Sequence, residues 1–269
     1  MSTFDGNNHY YSGQGVVMIA SRDVVTGKPT GFLPLGNVSD LKILIQTSVI
    51  EHKESQTGQR GIDLRLVTET KCNMSMTVDN YIAANLSLAL RGVNTASVGG
   101  TVTGEAVNGY SGLISSLAHI KVAAAVVKLG ATVLTPFVDN ATPYDYKINL
   151  AAGSIYLNDG VAPNPAVVGL TGGTAGAPIA LTVDYTYSAQ NVIDALTVGA
   201  QERYLRFEGL NTADTNSPVV IEVFKFSVDP LKELSLITDT VQQFVLDGSV
   251  LADPLRTSGS KYFKETALR

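Results

Sequence analysis

Three histidines and one cysteine are the residues in this 269-residue chain best suited to metal or nucleophile chemistry. His9 stands in a polar N-terminal stretch, His52 in a mixed-charge segment, and His119 in Leu117-Ala118-His119. None is spaced from another His or Cys as zinc ligands are, so a zinc site is not expected. Cys72 is the only cysteine, which rules out an intrachain disulfide. A reactive thiol needs an activating environment, and the alternating Thr70-Lys71-Cys72-Asn73-Met74 reads instead as a strand carrying a small hydrophobe. The chain has no Gly-x-Ser-x-Gly elbow and no Gly-x-x-x-x-Gly-Lys-Ser/Thr loop. Gly99-Gly100 and Gly172-Gly173 lack the strand-to-helix setting that cradles phosphate. Glu208 and Asp214 bracket Asn211 with hard oxygen ligands, but without the alternation of an EF-hand. A strand exit held by side chain–backbone hydrogen bonds is the preferred reading of that stretch. No catalytic, cofactor-binding or metal residue is therefore assigned, and the protein is not expected to be an enzyme.

The elements around these residues are those of a β protein. Val, Ile and Thr recur in short runs among 25 glycines, which favours strands joined by turns. Strands are expected at Val16–Ala20, Leu41–Ile50, Ile62–Val78, Ala123–Val127, Ile179–Tyr187, Tyr204–Phe207 and Val219–Val228, with two more in Tyr144–Leu157. In Ile62–Val78 the residues Leu64, Leu66, Cys72, Met74, Met76 and Val78 alternate, putting one face in a core. Whether that segment is one strand or a bent pair is open. One helix is expected over Asp79–Arg91, with Asp79 as cap, Ile82, Leu86, Ala89 and Leu90 as its apolar stripe and Gly92 as a left-handed stop. Residues 166–178 read as a glycine-rich loop.

Residues 1–15 read as a polar N-terminal arm, 16–245 as the β domain, and 246–269 as a C-terminal arm. No linker divides the chain, although 94–176 is set apart by its Gly/Ala content. The formal net charge of −5 predicts no general attraction to nucleic acid or an anionic membrane. No basic segment followed by an apolar run marks a secretory leader, and the longest apolar stretch, Val122–Val127, falls short of the ~20 residues a bilayer requires. Glu51-His52-Lys53-Glu54-Ser55-Gln56-Thr57-Gly58-Gln59-Arg60-Gly61 has no large aliphatic side chain. It reads as a solvated hairpin loop, or as a loop made to meet another subunit.

Several segments, taken in order, carry a resemblance. They are the loop Glu51–Gly61, the strand with Asn73-Met74-Ser75-Met76, and the helix from Asp79 through Leu90. Then come Arg203-Tyr204-Leu205-Arg206-Phe207-Glu208-Gly209-Leu210-Asn211-Thr212-Ala213, the strand Val219–Val228, Asp229-Pro230, the Asp253 region and Tyr262-Phe263-Lys264. Together, from about Val16 to Lys264, the pattern resembles the tail tube (major tail) proteins of tailed bacteriophages.

The resemblance implies a mainly β subunit, a sandwich or barrel with one short flanking helix. Its inner sheet would join a ring-wide β-barrel, and stacked homohexameric rings would conduct DNA during ejection. It further implies self-assembly in the host cytoplasm and a place in the virion tail, beside tail terminator, baseplate or tip proteins and a sheath. No membrane is involved, and viral DNA would pass through the lumen without sequence-specific binding. Glu51, His52, Lys53, Glu54, Ser55, Gln56, Thr57, Gln59 and Arg60 become a ring-stacking loop under this reading. Glu69, Asp184 and Glu222 become candidate lumen acids, with about −30 of charge per ring of six. The two alternatives are a single-ring tail terminator or connector and a carbohydrate-binding tail protein. The absence of Trp counts against the last of these.

Overall fold

The β-branched and aliphatic runs do form strands, and the computed structural model is mainly β with one short helix; it describes residues 10–56, 58–160, 173–174 and 176–268. The elements before the first change of unit are β1 (Gly13–Arg22), β2 (Pro29–Pro34), β3 (Val38–Lys53), β4 (Ile62–Val78), α1 (Ala83–Ala89) and β5 (Val93–Ser97). Then follow β6 (Gly100–Gly109), β7 (Ile114–Ser116), β8 (Val122–Leu129), β9 (Thr132–Val133), β10 (Tyr146–Asn149), β11 (Ser154–Leu157) and β12 (Ile179–Tyr187). The chain ends with β13 (Gln190–Asp194), β14 (Glu202–Asn211), β15 (Ser217–Val228), β16 (Phe244–Val250) and β17 (Phe263–Ala267).

The chain divides into two units, one of Met1–Asn94 with Ile193–Arg269 and one of Thr95–Val192. No linker announces this division, because the chain crosses between the units inside β5 and β13, which pair as a two-stranded ribbon. The glycine-rich segment set apart in the sequence, 94–176, falls almost wholly in the second unit, which extends to Val192.

In the first unit eight antiparallel strands run in the order β2-β1-β14-β15-β16-β4-β3, with β17 also on β15. The sheet is open, with β2 and β3 at its ends. Inward residues meet across strands: Ile19 faces Leu205, Leu205 faces Val223, and Leu246 faces Met76, which faces Leu41. Met76, Leu205, Val223, Phe226 and Leu246 are fully buried in the resulting core. Cys72 belongs to it too, packed as a small hydrophobe, and burial pushes its thiol above the ordinary value.

The helix differs from expectation at both ends. It starts at Ala83 after an extended Ile82, and Asp79 does not cap it. The Asp79 carboxylate instead accepts from Ser39 Oγ at 3.1 Å and Gln243 Nε2 at 3.0 Å, tying neighbouring strands together. Of the expected stripe Ala89 is buried and Leu86 and Leu90 are half-buried, while Ile82 is exposed; Asn85 and Leu88 complete the inward face. Buried Asn85 donates to Leu35 O at 2.7 Å and Asn80 O at 3.0 Å.

Both presumed arms contribute strand to the sheet in their described parts. Gly13–Gly15 pair with Asn211–Gly209, and a Cβ on Gly15 would lie 2.2 Å from the Glu208 carbonyl oxygen. Backbone pairing needs no apolar side chains, which is why a polar glycine stretch looked like an arm. At the other end the boundary at 245 cuts through β16, whose Phe244, Leu246 and Val250 are core, and β17 pairs with β15.

The second unit packs a four-stranded sheet, β6-β12-β8-β9, and a three-stranded sheet, β10-β11-β7, around one core. Val127, Leu134, Ile155, Leu157, Leu181 and Val183 fill it. β12 matches its expected span and alternates as read, with Ile179, Leu181, Val183 and Tyr185 buried.

Candidate assembly surface

β3 and β4, of 16 and 17 residues, form one hairpin far longer than the ~5–6 residues typical of a strand. β4 is a single strand, not a bent pair. Only its last part, Cys72 to Val78, alternates into the core; Ile62 to Lys71 is exposed throughout. From the Ile45–Cys72 pair to the Lys53–Ile62 pair the ladder continues for about nine residues, roughly 30 Å at the strand rise.

This outer ladder carries exposed apolar side chains on both faces, among polar pairs such as Gln46–Lys71 and Thr47–Thr70. Ile50 pairs with Leu66 and His52 with Leu64 on one face, while Val49 pairs with Val67 and Glu51 with Arg65 on the other. Leu44, Ile45, Ile50, Ile62, Leu64, Leu66 and Val67 are between 43% and 62% exposed. Full burial of one such side chain stabilises by about 1.5–3 kcal/mol, so half-exposed the seven forgo on the order of 5–10 kcal/mol. The alternation of Leu64 and Leu66 read as core-facing; the body of the sheet ends before it reaches them. Two register shifts, skipping Thr68 and Asp63, twist the hairpin along its length.

The polar segment picked out from the sequence is the tip of this hairpin. Glu51, His52 and Lys53 close β3, and the turn is held by Glu54 N–H on Gly61 O at 2.8 Å and Gln56 N–H on Glu54 Oε2 at 2.9 Å. Gly58 and Arg60 take positive φ. His52 Nδ1 lies 2.6 Å from Asp63 Oδ1, and Arg65 lies 3.7 Å from Glu51. Ser55 and Gln59 are exposed, and Thr57 lies outside the described residues. The aliphatic stem residues were missed because each reads as an ordinary buried position. The signal that finds them is strand length, since neither strand meets a turn residue until far beyond any body it could cover.

The candidate lumen acids do not form one group. Glu69 is on the outer hairpin, 3.2 Å from Lys71. Asp184 belongs to the second unit, where Lys128 at 2.5 Å and the Gly104 N–H hold its carboxyl below the ordinary value. Glu222, on β15, sits between Arg206 at 3.1 Å and Lys264 at 3.3 Å, its direct cross-strand neighbours. Each carboxylate thus has a cation beside it, and locally the pairs are neutral.

Other sequence candidates have structural roles. In the second unit the Tyr185 hydroxyl donates to Glu105 and accepts a hydrogen bond from His119 Nδ1–H at 2.9 Å, since a phenol has one proton to give. Glu105 also accepts from Ala118 N–H at 2.8 Å, so this chain pins the 117–121 loop to the sheet. The stretch between Glu208 and Asp214 is organised by Asn211, whose Oδ1 accepts from Ser12 N–H and Ala213 N–H, while Glu208 pairs with Arg206. Among the described residues no three His, Cys, Asp or Glu side chains are grouped to hold a metal ion. His9 and Gly172 lie outside the described residues, as does most of the 166–178 loop.

No curated protein matches the chain. A family model described as "Protein of unknown function UCP028589" matches residues 10–265, nearly the whole length, and the chain belongs to that family.

Proposed function

We propose that this protein is a structural subunit of a bacteriophage tail tube, forming stacked homohexameric rings through which DNA passes during ejection. The observation that carries the reading is the outer β3–β4 hairpin, which exposes apolar side chains on both faces and which no other described residue of its own unit covers. Long exposed strands of this kind are an aggregation hazard unless another chain covers them. The open sheet adds support, since its end strands β2 and β3 are free to meet neighbours in a ring. A head-to-tail contact whose rotation closes makes rings, and a projecting hairpin joins one ring to the next. The tip, Glu51 to Arg60, is the stacking element in this scheme, and its stem supplies the burial. Glu69, Asp184 and Glu222 contribute little to a repulsive lumen, because each is paired.

Negative-stain electron microscopy of the purified protein over a concentration series tests the reading. Stacked rings or tubes with a central channel are expected. Discrete single rings would replace it with a terminator or connector, and monomers at the highest concentration would overturn it.

A further inference from the structure

A second contact between copies can be located from an uncompensated charge. Arg203, on β14, donates to Ser21 Oγ and Gln201 Oε1, both neutral acceptors, and its Nε is buried without a partner. Among the described residues no carboxylate forms an ion pair with it, whereas nearby Arg22 has Asp253 at 2.5 Å. Partial burial lowers the guanidinium below its ordinary value, with no counter-charge to offset it. An anion reaching the group would compensate the buried Nε edge.

Arg203 borders a cleft of about 340 Å³ whose walls include Ile19, Leu33, Leu35, Ile82 and Leu88. That is at the small end of the ~300–1,000 Å³ of ligand sites and fits one or two residues of a peptide. The walls suit an aliphatic side chain, and the floor suits a carboxylate close to it. A hydrated inorganic anion would satisfy only the second requirement.

The chain itself carries a segment of that chemistry. Between β15 and β16 the backbone crosses without regular structure, and Leu236, Ile237 and Val241 are 79%, 96% and 78% exposed. Asp239 is exposed two residues after Ile237. We propose that the Ile237–Asp239 segment of a second copy seats in this cleft, Ile237 between Leu33 and Leu88 and the Asp239 carboxylate on Arg203. Donor and acceptor are different surfaces, so the contact can repeat head to tail from copy to copy, and it closes a ring where the rotation between copies closes. The inference rests on the ring reading and names the contact within the ring.

Cross-linking between two single-site variants tests it. Protein carrying Leu33→Cys is mixed with protein carrying Ile237→Cys under mild oxidation; native Cys72 is 6% exposed and stays silent. A disulfide between the two proteins is expected. Its yield should fall about tenfold when Asp239→Lys is added to the second, and hold when Glu233→Lys in the same loop is added instead. Rings that form without this cross-link overturn the docking contact alone. Wild-type protein that never associates overturns both the contact and the ring. A cross-link formed within one chain carrying both cysteines also overturns it, because the loop would then fill its own cleft.

Discussion

At the scale of single residues, the end of α1 shows how two adjacent positions divide a task that the sequence assigned to one. Arg91 N–H bonds to Leu88 O and Gly92 N–H to Ser87 O at 2.8 Å, the paired bonds that close a helix in a left-handed turn. The left-handed residue is Arg91, at φ 46°, not Gly92. Arg91 holds that conformation while Nε and Nη2 donate to Val228 O at 3.1 and 2.5 Å. Gly92 is glycine for space, since a Cβ there would lie 2.7 Å from Asp194 O. Arg91→Gly gains about 1 kcal/mol from the relaxed backbone and loses about 1.5–3 kcal/mol of charge-assisted hydrogen bonding. A net destabilisation of about 1 kcal/mol is expected in urea unfolding, and a stabilised variant would show that the guanidinium contributes nothing. Gly92→Ala should cost about 1–3 kcal/mol by crowding the backbone. Neither role is legible in the sequence, where Arg-Gly after an apolar run reads only as a stop.

Tyr204 gives the pH dependence. Burial, then the charge of Glu222 and the hydrogen bond to it, push its hydroxyl up to about 12. A raised folded value favours the protonated phenol in the native state. Its stabilisation is complete below the unfolded value near 10 and is lost as pH rises through about 12. Alkaline unfolding should therefore steepen across that window, and Tyr204→Phe should flatten it. A titration of stability between pH 9 and 12, identical for both proteins, would refute the assignment. On the acid side Lys232 holds Asp247 below its ordinary value, so that pair stabilises above the unfolded carboxyl value and fades as pH falls through the lowered one.

At the scale of elements, most strands were legible because alternation reports burial wherever a strand lies on one core. β12 is the clearest case, with the same residues at both ends and the expected face inward. Alternation fails on the β3–β4 hairpin because it reports a face and not whether anything covers it. Leu64 and Leu66 alternate as well as Met74 and Met76, yet the first pair is half-exposed and the second buried. The two halves should respond differently to the same kind of change. Met76→Ala removes core volume and should cost about 2–5 kcal/mol. Ile50→Ser with Leu66→Ser changes only exposed positions and should leave monomer stability within about 0.5 kcal/mol per site. Under the tube reading, the double variant raises the concentration needed for assembly about tenfold or more. Measuring melting temperature and sedimentation on the same samples separates the two effects. Unchanged assembly with unchanged stability would remove the hairpin from the interface.

At the scale of the whole molecule, the two units bear unequally on assembly under the tube reading. All eight strands of the open sheet, the helix and the long hairpin come from the first unit, as do the Arg203 cleft and the Ile237 loop. The second unit has its own core, shared between its two sheets. Its boundaries fall inside β5 and β13, whose pairing brings the two crossing points of the chain side by side. A short turn can therefore replace Thr95–Val192 without moving Asn94 or Ile193, since two paired strands need only a few residues to connect them. The sequence could not show this, because a unit inserted through paired strands leaves no linker to read. The shortened protein is expected to fold with its strand content intact by circular dichroism. It should also associate at the same concentration as the full chain, because none of the proposed contact surfaces has been removed. If it folds and fails to associate, the second unit supplies a contact and the hairpin and cleft are insufficient. If it associates normally, the second unit is free to serve a purpose other than building the ring.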